Sequence, residues 1–285
     1  MNAGGSGIVH EVAPAKVNLL LHVGRVRADG LHELCSLFAS IELHDSVTVA
    51  VADADEVVCP GVRGPNLAAA AIGRLREALA GDLPPLRVTI EKRIPVAAGL
   101  GGGSADAAAV LRAGNRVAAR PLDRTGLGEL AALLGADVPS QVEPRHALVT
   151  GAGEVVEPLA LPMLALVLVP REKGLSTPAV YREADRLGAT RDRLEPDAVR
   201  RLAALPTREL ATFLTNDLQS AALALRPELE DGLDALRRAG ALTALVTGSG
   251  PTVFGVFPDR SAAEVAARAL PGAIVAGLTS ASAAR

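Results

Sequence analysis

Aromatic residues are almost absent from this chain. There is no tryptophan, and aromatic residues make up only 2% of the 285 positions. The core must therefore be built from leucine, valine and alanine. The two cysteines, Cys35 and Cys59, are too few for a disulfide framework and stand in no Cys/His spacing typical of zinc sites. We expect both to be free thiols.

Basic runs and long apolar runs are also missing. The formal net charge is −3 and no block of Lys and Arg stands out, which argues against nucleic acid or an anionic membrane as a partner. The first sixteen residues lack the basic start and apolar stretch of a signal peptide. The most apolar window, 159–170, is too short to span a bilayer and contains Pro162 and Pro170. We expect a cytoplasmic protein.

Hydrophobic residues are plentiful, at 49%, and their spacing predicts a mixture of strands and helices. Strand patterns occupy 16–26, 31–43, 46–51, 86–92, 163–170 and 273–277, with hairpin-like segments at 146–159 and 241–257. Helical patterns occupy 66–81, 104–119, 127–135, 177–187, 197–205, 227–240 and 261–270. Because the two types do not strictly alternate, the order favours an α+β fold. We place a domain boundary near residue 158.

The densest glycine segment is PVAAGLGGGSADAAA, residues 95–109. A P-loop would need a lysine before Ser104, and a dinucleotide fingerprint would need a glycine in place of Ser104, so neither pattern fits. A bare glycine loop that leads into a helix aligns backbone N–H groups into a site for a di- or triphosphate. Ser104 would cap the helix or offer its hydroxyl to a phosphate-bound Mg²⁺. The alternative is a glycine-rich turn that packs closely on a neighbouring element.

A second glycine cluster, VTGSGPTVFG at 246–255, lies between two apolar strands. It is either an ordinary hairpin turn or a second loop that faces an anion.

These two clusters, together with APAKVNL at 13–19, resemble the GHMP kinases, a family that includes galactokinase and the homoserine, mevalonate and phosphomevalonate kinases. The three motifs occur in the family's order. The resemblance implies an N-terminal nucleotide domain like domain 2 of ribosomal protein S5, at 1–158, which binds ATP and carries catalysis. It also implies a C-terminal GHMP kinase domain, an α/β sandwich at 159–285, that contributes to the substrate cleft.

Residues 13–38, 134–140 and 174–181 resemble most closely the branch of this family that acts on a cytidylyl substrate. The resemblance implies transfer of a phosphoryl group from ATP, with Mg²⁺, to a C2 hydroxyl. It makes Asp137 the base that takes the hydroxyl proton and Lys16 the catalytic lysine. The partners implied are small molecules, and we expect a monomer or weak homodimer.

The resemblance also implies the binding residues. For the nucleotide they are Pro95, Val96, Ala97, Ala98, Gly99, Leu100, Gly101, Gly102, Gly103, Ser104 and Ala105, with Asn66, beside Leu67, and Lys92 as candidates near adenine. For the substrate they are Asn18, His32, Thr177, Tyr181, Gly248, Ser249 and Gly250, where His32 bonds the cytosine and Tyr181 stacks on it.

The chain departs from the family pattern at three places. Leu31 replaces an aromatic residue before His32, Ser140 and Gln141 replace bulky apolar residues after Asp137, and alanines stand at 97 and 98 where glycines are common. Two alternatives therefore stay open. One is another small-molecule kinase of the family, of homoserine or mevalonate type, and the other is a nucleotide-binding regulator that has lost catalysis.

Overall fold

The computed structural model describes residues 7–62, 64 and 66–279, and its contacts divide the chain into two compact units. Unit 1 takes the chain up to Ala15, then Leu43–Val96 and Gly101–Pro144. Unit 2 takes Lys16–Glu42, Ala97–Leu100 and the chain from Arg145 onward. The units are interleaved along the chain. The boundary near residue 158, which separates consecutive domains, stays a prediction.

The described residues form ten strands and ten helices. The strands are β1 (Ile8–Val26), β2 (His32–Val51), β3 (Glu56–Val58), β4 (Leu86–Glu91), β5 (Ala147–Gly151), β6 (Val155–Pro158), β7 (Ala165–Val169), β8 (Thr243–Val246), β9 (Val253–Phe257) and β10 (Ile274–Gly277). The helices are α1 (Leu67–Ala78), α2 (Gly102–Val117), α3 (Arg124–Ala132), α4 (Val138–Val142), α5 (Thr177–Leu187), α6 (Pro196–Leu202), α7 (Thr207–Ala211), α8 (Gln219–Leu225), α9 (Leu229–Arg238) and α10 (Arg260–Arg268).

Unit 1 packs two helices, α1 and α2, with the end of β2. Ser46–Val51 of β2 pair antiparallel with β4, and β4 pairs in parallel with β3. The core holds Val47, Leu75, Ile90 and a run of alanines on α2. A side chain at Gly114 of α2 would lie 2.7 Å from a methyl group of Leu75 on α1, so the small residues of α2 allow the two helices to approach closely.

Unit 2 contains an antiparallel sheet of four strands in the order β10–β7–β9–β8. Phe257 and Val246 of this sheet pack with Leu233 and Leu236 of α9. The first part of β2 pairs with β5, and β5 pairs with β6. The β1 strand supplies Lys16 and Asn18 to this unit.

Most predicted elements are present, and three differences have local causes. The strands expected at 31–43 and 46–51 are one strand, β2, because the carboxylate of Asp45 between them is fully buried and hydrogen-bonded. Strand β1 begins eight residues earlier than expected, at Ile8. The short elements β3, α4, α7 and α8 were not predicted, since three to seven residues carry little periodicity. Within the described part of the chain, no helix is both long and apolar enough to cross a membrane.

Candidate active site

The second half of the glycine loop, residues 101–104, opens helix α2. Gly101 stands at the N-cap with φ of +71°, and it has no side chain that could cap the helix. Gly103 is exposed, and an added Cβ would meet nothing closer than Leu67, at 3.8 Å. The amide groups of the first turn are therefore left to other hydrogen-bond acceptors, as an anion site requires.

The first half of the loop, residues 97–100, is packed instead. A side chain on Gly99, whose φ is +77°, would overlap the carbonyl oxygen of Gly250. The N–H of Thr252 donates to Ala98 O at 3.3 Å, and the N–H of Lys16 donates to Leu100 O at 3.0 Å. Ala97 has φ of +56°, which strains a residue with a side chain by about 1 kcal/mol. This half of the loop is therefore a glycine-containing turn that packs closely on neighbouring elements, as the alternative interpretation of the motif expects.

A buried ionic cluster lies beside the start of α2 in unit 1. The Lys92 ammonium donates to Asp45 Oδ2 at 2.5 Å and to Asp106 Oδ2 at 2.7 Å. Asp45 Oδ1 also accepts from the N–H groups of Arg93 and Ile94. A Cβ on Gly102 would lie 3.3 Å from the Lys92 ammonium, so the cluster lies directly against the helix start.

Burial sets the titration of this cluster. Asp106 is 3% exposed, and its desolvation raises the pKa of the carboxyl to about 6, against the opposing effect of Lys92. The two aspartates raise the pKa of Lys92 against the effect of its own burial. Lys92 therefore stays charged, and Asp106 gains a proton as the pH falls through about 6. Lys92, predicted near adenine, is held by two carboxylates.

Asn66, the other candidate near adenine, caps helix α1. Its side-chain oxygen accepts from the N–H of Ala68 at 2.9 Å. It also lines a cavity of about 550 Å³ in unit 1, together with Val57, Cys59 and Ile72. The capping role does not prevent Asn66 from facing a ligand in this cavity.

Asp137 stands at the start of α4 in unit 1. The residue occupies the N-cap position, but its carboxylate makes no capping hydrogen bond. The first departure after it is accommodated locally, since the Ser140 hydroxyl donates to Asp137 O at 2.8 Å. Gln141 is 2% exposed, and its Oε1 has no hydrogen-bond partner among the described residues. The polar residues at 140 and 141 therefore belong to the interior of unit 1.

Lys16 lies in a buried polar network of unit 2. Its ammonium donates to Asn18 Oδ1 at 2.7 Å and lies 4.8 Å from the centre of the Phe38 ring. Asn18 Nδ2 donates to Ser36 Oγ at 2.9 Å, and the Asn18 N–H donates to Thr247 Oγ1 at 3.0 Å. Lys16 is 5% exposed and Asn18 is 3% exposed. The network fixes the lysine at one position on β1.

The second glycine cluster, residues 246–255, lies next to the network of Lys16 and Asn18. A Cβ at Gly248 would lie 3.1 Å from Asn18 Oδ1 and 3.7 Å from the Lys16 ammonium. Asn216 Nδ2 donates to the carbonyl groups of Val246 and Gly248, at 2.7 and 2.8 Å. The hydroxyl groups of Ser249 and Thr177 are hydrogen-bonded at 2.9 Å. The structure thus brings Lys16, Asn18, Gly248, Ser249 and Thr177 into one part of unit 2.

His32 and Tyr181, both predicted to contact the base, form a second pair in unit 2. Their ring centres are 5.0 Å apart, at an angle of 39°. His32 Nε2 is 2.8 Å from Asp185 Oδ1; a carboxylate accepts hydrogen bonds, so Nε2–H is the donor. In a neutral ring, Nδ1 is then the acceptor. Leu31, in place of an aromatic residue, is 53% exposed.

These networks contain side chains that the sequence analysis missed, among them Asp45, Asp106, Asp185 and Asn216. Only Asp185 had a local signal, since it follows Tyr181 by one helical turn on α5. The others act on residues far away in the chain, and no periodicity marks them.

Comparisons with known proteins identify the family of this chain. The family model for the GHMP kinases N terminal domain matches residues 66–143, and the model for GHMP kinases C terminal matches 197–276. A curated 4-diphosphocytidyl-2-C-methyl-D-erythritol kinase from Anaeromyxobacter dehalogenans is 46% identical over 92% of this chain and 84% of its own length.

Solved structures give the same result. A crystal structure of 4-(cytidine 5'-diphospho)-2C-methyl-D-erythritol kinase has a TM-score of 0.81 at 36% identity, covering 95% of this chain and all of that one. The homoserine kinase from Cytophaga hutchinsonii has a TM-score of 0.71 at 19% identity, covering 98% of this chain and 96% of its own, which shows a shared fold alone. This chain belongs to the GHMP kinases, with their two-domain α+β fold, and the predicted family and fold class are confirmed.

Proposed function

We propose that this chain transfers the γ-phosphoryl group of ATP to the C2 hydroxyl of 4-diphosphocytidyl-2-C-methyl-D-erythritol. The products are its 2-phosphate and ADP, in the methylerythritol phosphate route to isoprenoid precursors. The observation that carries the proposal is the open first turn of α2 in a GHMP kinase whose curated relative and structural neighbour both carry this substrate in their names.

Within the predicted glycine loop, residues 95–105, the phosphates of ATP bind at the open half, 101–104. The open amides at 101–104 supply hydrogen-bond donors, and the N-terminus of the sixteen-residue helix α2 adds a partial positive charge. Phosphoryl transfer needs chiefly positioning and neutralisation of phosphate charge, and this turn supplies both. The adenine lies in the 550 Å³ cavity of unit 1, against Asn66.

A magnesium ion fits this arrangement as a companion of the nucleotide. The first turn of α2 offers it the Ser104 hydroxyl, an oxygen donor of the kind Mg²⁺ prefers. In the described part of the chain, no group of three or more His, Cys, Asp or Glu side chains is arranged to hold a metal. When bound, the ion neutralises charge on the phosphates.

Asp137 takes the proton of the acceptor hydroxyl as the bond to phosphorus forms. Its carboxylate does not cap α4, and a carboxylate is a usual acceptor for such a proton. Lys16 stabilises the negative charge that develops on the attacking oxygen. Asn18 holds the lysine in one orientation through the hydrogen bond to its ammonium, and Gly248 leaves room beside it, since a Cβ there would lie 3.7 Å from the ammonium.

The cytidylyl group is recognised by His32 and Tyr181. The acceptor nitrogen of His32 matches the amino group of cytosine, and the Tyr181 ring supplies a stacking surface. Leu31 gives an aliphatic contact where an aromatic ring would stack. Thr177, Ser249 and the glycines around Ser249 contact the remainder of the substrate. The oligomeric state, a monomer or weak homodimer, stays a prediction.

An ADP-release assay tests the proposal. The cytidylyl substrate, homoserine and mevalonate are supplied in parallel, and we expect turnover with the first alone. Turnover with homoserine or mevalonate alone would contradict the substrate, and binding of ATP without turnover on any of the three would identify a silent regulator.

The variant Asp137→Asn tests the base. We expect kcat to fall by about 10²- to 10⁴-fold, the usual contribution of a general base, while binding of a non-hydrolysable ATP analogue is retained. Equal kcat in the variant and the parent would remove Asp137 from this role.

A further inference from the structure

Helix α4, which begins directly after Asp137, has only five residues, Val138–Val142. A helix this short is not stable in isolation, because nucleation costs more than its few hydrogen bonds return. Its position therefore depends on contacts with the rest of unit 1. Val138 and Val142 supply apolar contacts in the core, and the carboxylate of Glu143, directly after α4, pairs with Arg124 of α3 at 2.9 Å.

A hydrogen bond to the backbone of α4 itself comes from Arg112 of helix α2. Its Nη1–H donates to Gln141 O of α4 at 2.6 Å, and its Nη2–H donates to Val12 O of β1 at 2.8 Å. Its Nε–H donates to Glu11 Oε2, also at 2.8 Å. One planar guanidinium thus joins three elements of unit 1, and its fixed fork of donors holds each in a defined direction.

This guanidinium is buried and its charge is balanced. The Arg112 side chain is 12% exposed and that of Glu11 is 8% exposed. Burial lowers the pKa of Arg112, and the adjacent Glu11 carboxylate opposes that shift. Glu11 also pairs with Arg116, one turn further along α2, at 2.7 Å, but the Arg116 side chain is 57% exposed. Arg116 therefore shares the carboxylate with Arg112 while lying at the surface.

Helix α2 is also the element that opens with the glycine turn at 101–104. Ser104 and Arg112 are about two turns apart on the same helix, which holds the distance between them constant. The bond from Arg112 to Gln141 extends this fixed spacing to α4.

We propose that Arg112, supported by Glu11, is a positioning residue for phosphoryl transfer that sets Asp137 relative to the phosphate-binding turn. This rests on the proposed role of Asp137. Arg112 touches neither nucleotide nor substrate in this scheme. Its effect passes through the backbone of α4.

The test compares Arg112→Met with Arg116→Gln. Both variants remove an arginine that pairs with Glu11, but only the first removes the bond to α4. We expect Arg112→Met to lower kcat by about 10- to 100-fold, because displacing a catalytic group by about 1 Å costs up to about 10²-fold. The KM for ATP should change little, since the glycine turn is intact. Arg116→Gln should keep the parental kcat.

Two further variants keep the test decisive if Arg112→Met does not fold. Arg112→Lys supplies one ammonium in place of the fork, so its kcat should fall below that of the parent and of Arg116→Gln. Glu11→Gln leaves the bond to α4 in place and should reduce kcat less than Arg112→Lys does. Amide hydrogen exchange at 138–142 should be faster in Arg112→Lys than in Arg116→Gln.

The Asp137→Asn background separates positioning from general stability. If Arg112 acts through Asp137, Arg112→Lys should cause a much smaller loss of kcat in that background than in the parent. An undiminished loss there, or equal kcat in Arg112→Met and Arg116→Gln, would overturn the proposal. If Asp137→Asn alone keeps full activity, the assignment of the base fails instead, and the exchange measurement still reports whether Arg112 holds α4.

Discussion

The two halves of the glycine loop use glycine for different reasons. At 97–100, in unit 2, the protein itself fills the space that a side chain would need, as Gly99 against Gly250 shows. At 101–104, in unit 1, Gly103 has room for a methyl group and nothing in the described structure uses that room. A glycine motif can therefore combine a packing requirement with a binding requirement, and only the second predicts a ligand.

The largest expected effect is at the packed half. Gly99→Ala would force a methyl group onto the carbonyl of Gly250 and a side chain into a left-handed conformation, so we expect a loss of about 3 kcal/mol or more of stability. Thermal unfolding should show a midpoint lower by roughly 6–12 °C. Gly128→Ala, on α3 with nothing within 4 Å, is the control and should not destabilise. An unchanged midpoint in Gly99→Ala would remove the distinction between the halves.

The open half lies against the buried cluster of Lys92, Asp45 and Asp106, so we expect the stability of this unit to change with pH. The pKa of Asp106 is raised to about 6 in the folded protein and lies near 3.8 for an unperturbed carboxyl. Between these values the folded state holds a proton that the unfolded state lacks, so stability falls as the pH rises from about 4 to about 6. The decrease attributable to this group is about 2–3 kcal/mol.

Denaturant unfolding of the parent and Asp106→Asn across this pH range measures that decrease. The difference between the two proteins should follow the titration of Asp106, while Asp53→Asn, at an exposed position of the same unit, should behave as the parent does. Parallel pH profiles for the parent and Asp106→Asn would show that the cluster is ionised throughout.

The smallest expected effect is at Gly103. Gly103→Ala places a methyl group where the phosphates approach, so we expect the KM for ATP to rise about tenfold, or about 1.4 kcal/mol. Stability should be equal or slightly higher, because alanine favours the helix. The KM for the cytidylyl substrate is the internal control. An unchanged KM for ATP would place the nucleotide away from this turn.

The fold could be predicted where the sequence has a sustained period. The prediction for α5, at 177–187, matches the structure residue for residue, since its buried residues, Val180 and Ala184, have the spacing of one helical turn. The same use of periodicity predicted two strands where the structure has one, β2. A charged residue in mid-strand is usually exposed, but Asp45 is buried and accepts hydrogen bonds from the backbone of residues that follow β4. Tertiary contact overrode the local pattern there.

The site could be predicted only as far as its motifs extend. The motifs identified Lys16, His32 and Tyr181, and the structure places each beside another predicted residue. Their supporting partners were missed, because Asp45 meets Lys92 across 47 positions and Asp185 meets His32 across 153. Arg112 was missed for a second reason, because an arginine on a helix is ordinarily at the surface.

The interleaved path of the chain bears on how the protein is made. The backbone passes from one unit to the other five times before residue 146, so neither unit corresponds to a continuous stretch of the gene. During translation, the unit that contains residues 16–42 is complete only after strand β10, at 274–277, has been synthesised. At ribosomal rates this interval is roughly ten seconds or more, during which the nascent polypeptide carries unfinished hydrophobic surface and is a natural client for chaperones.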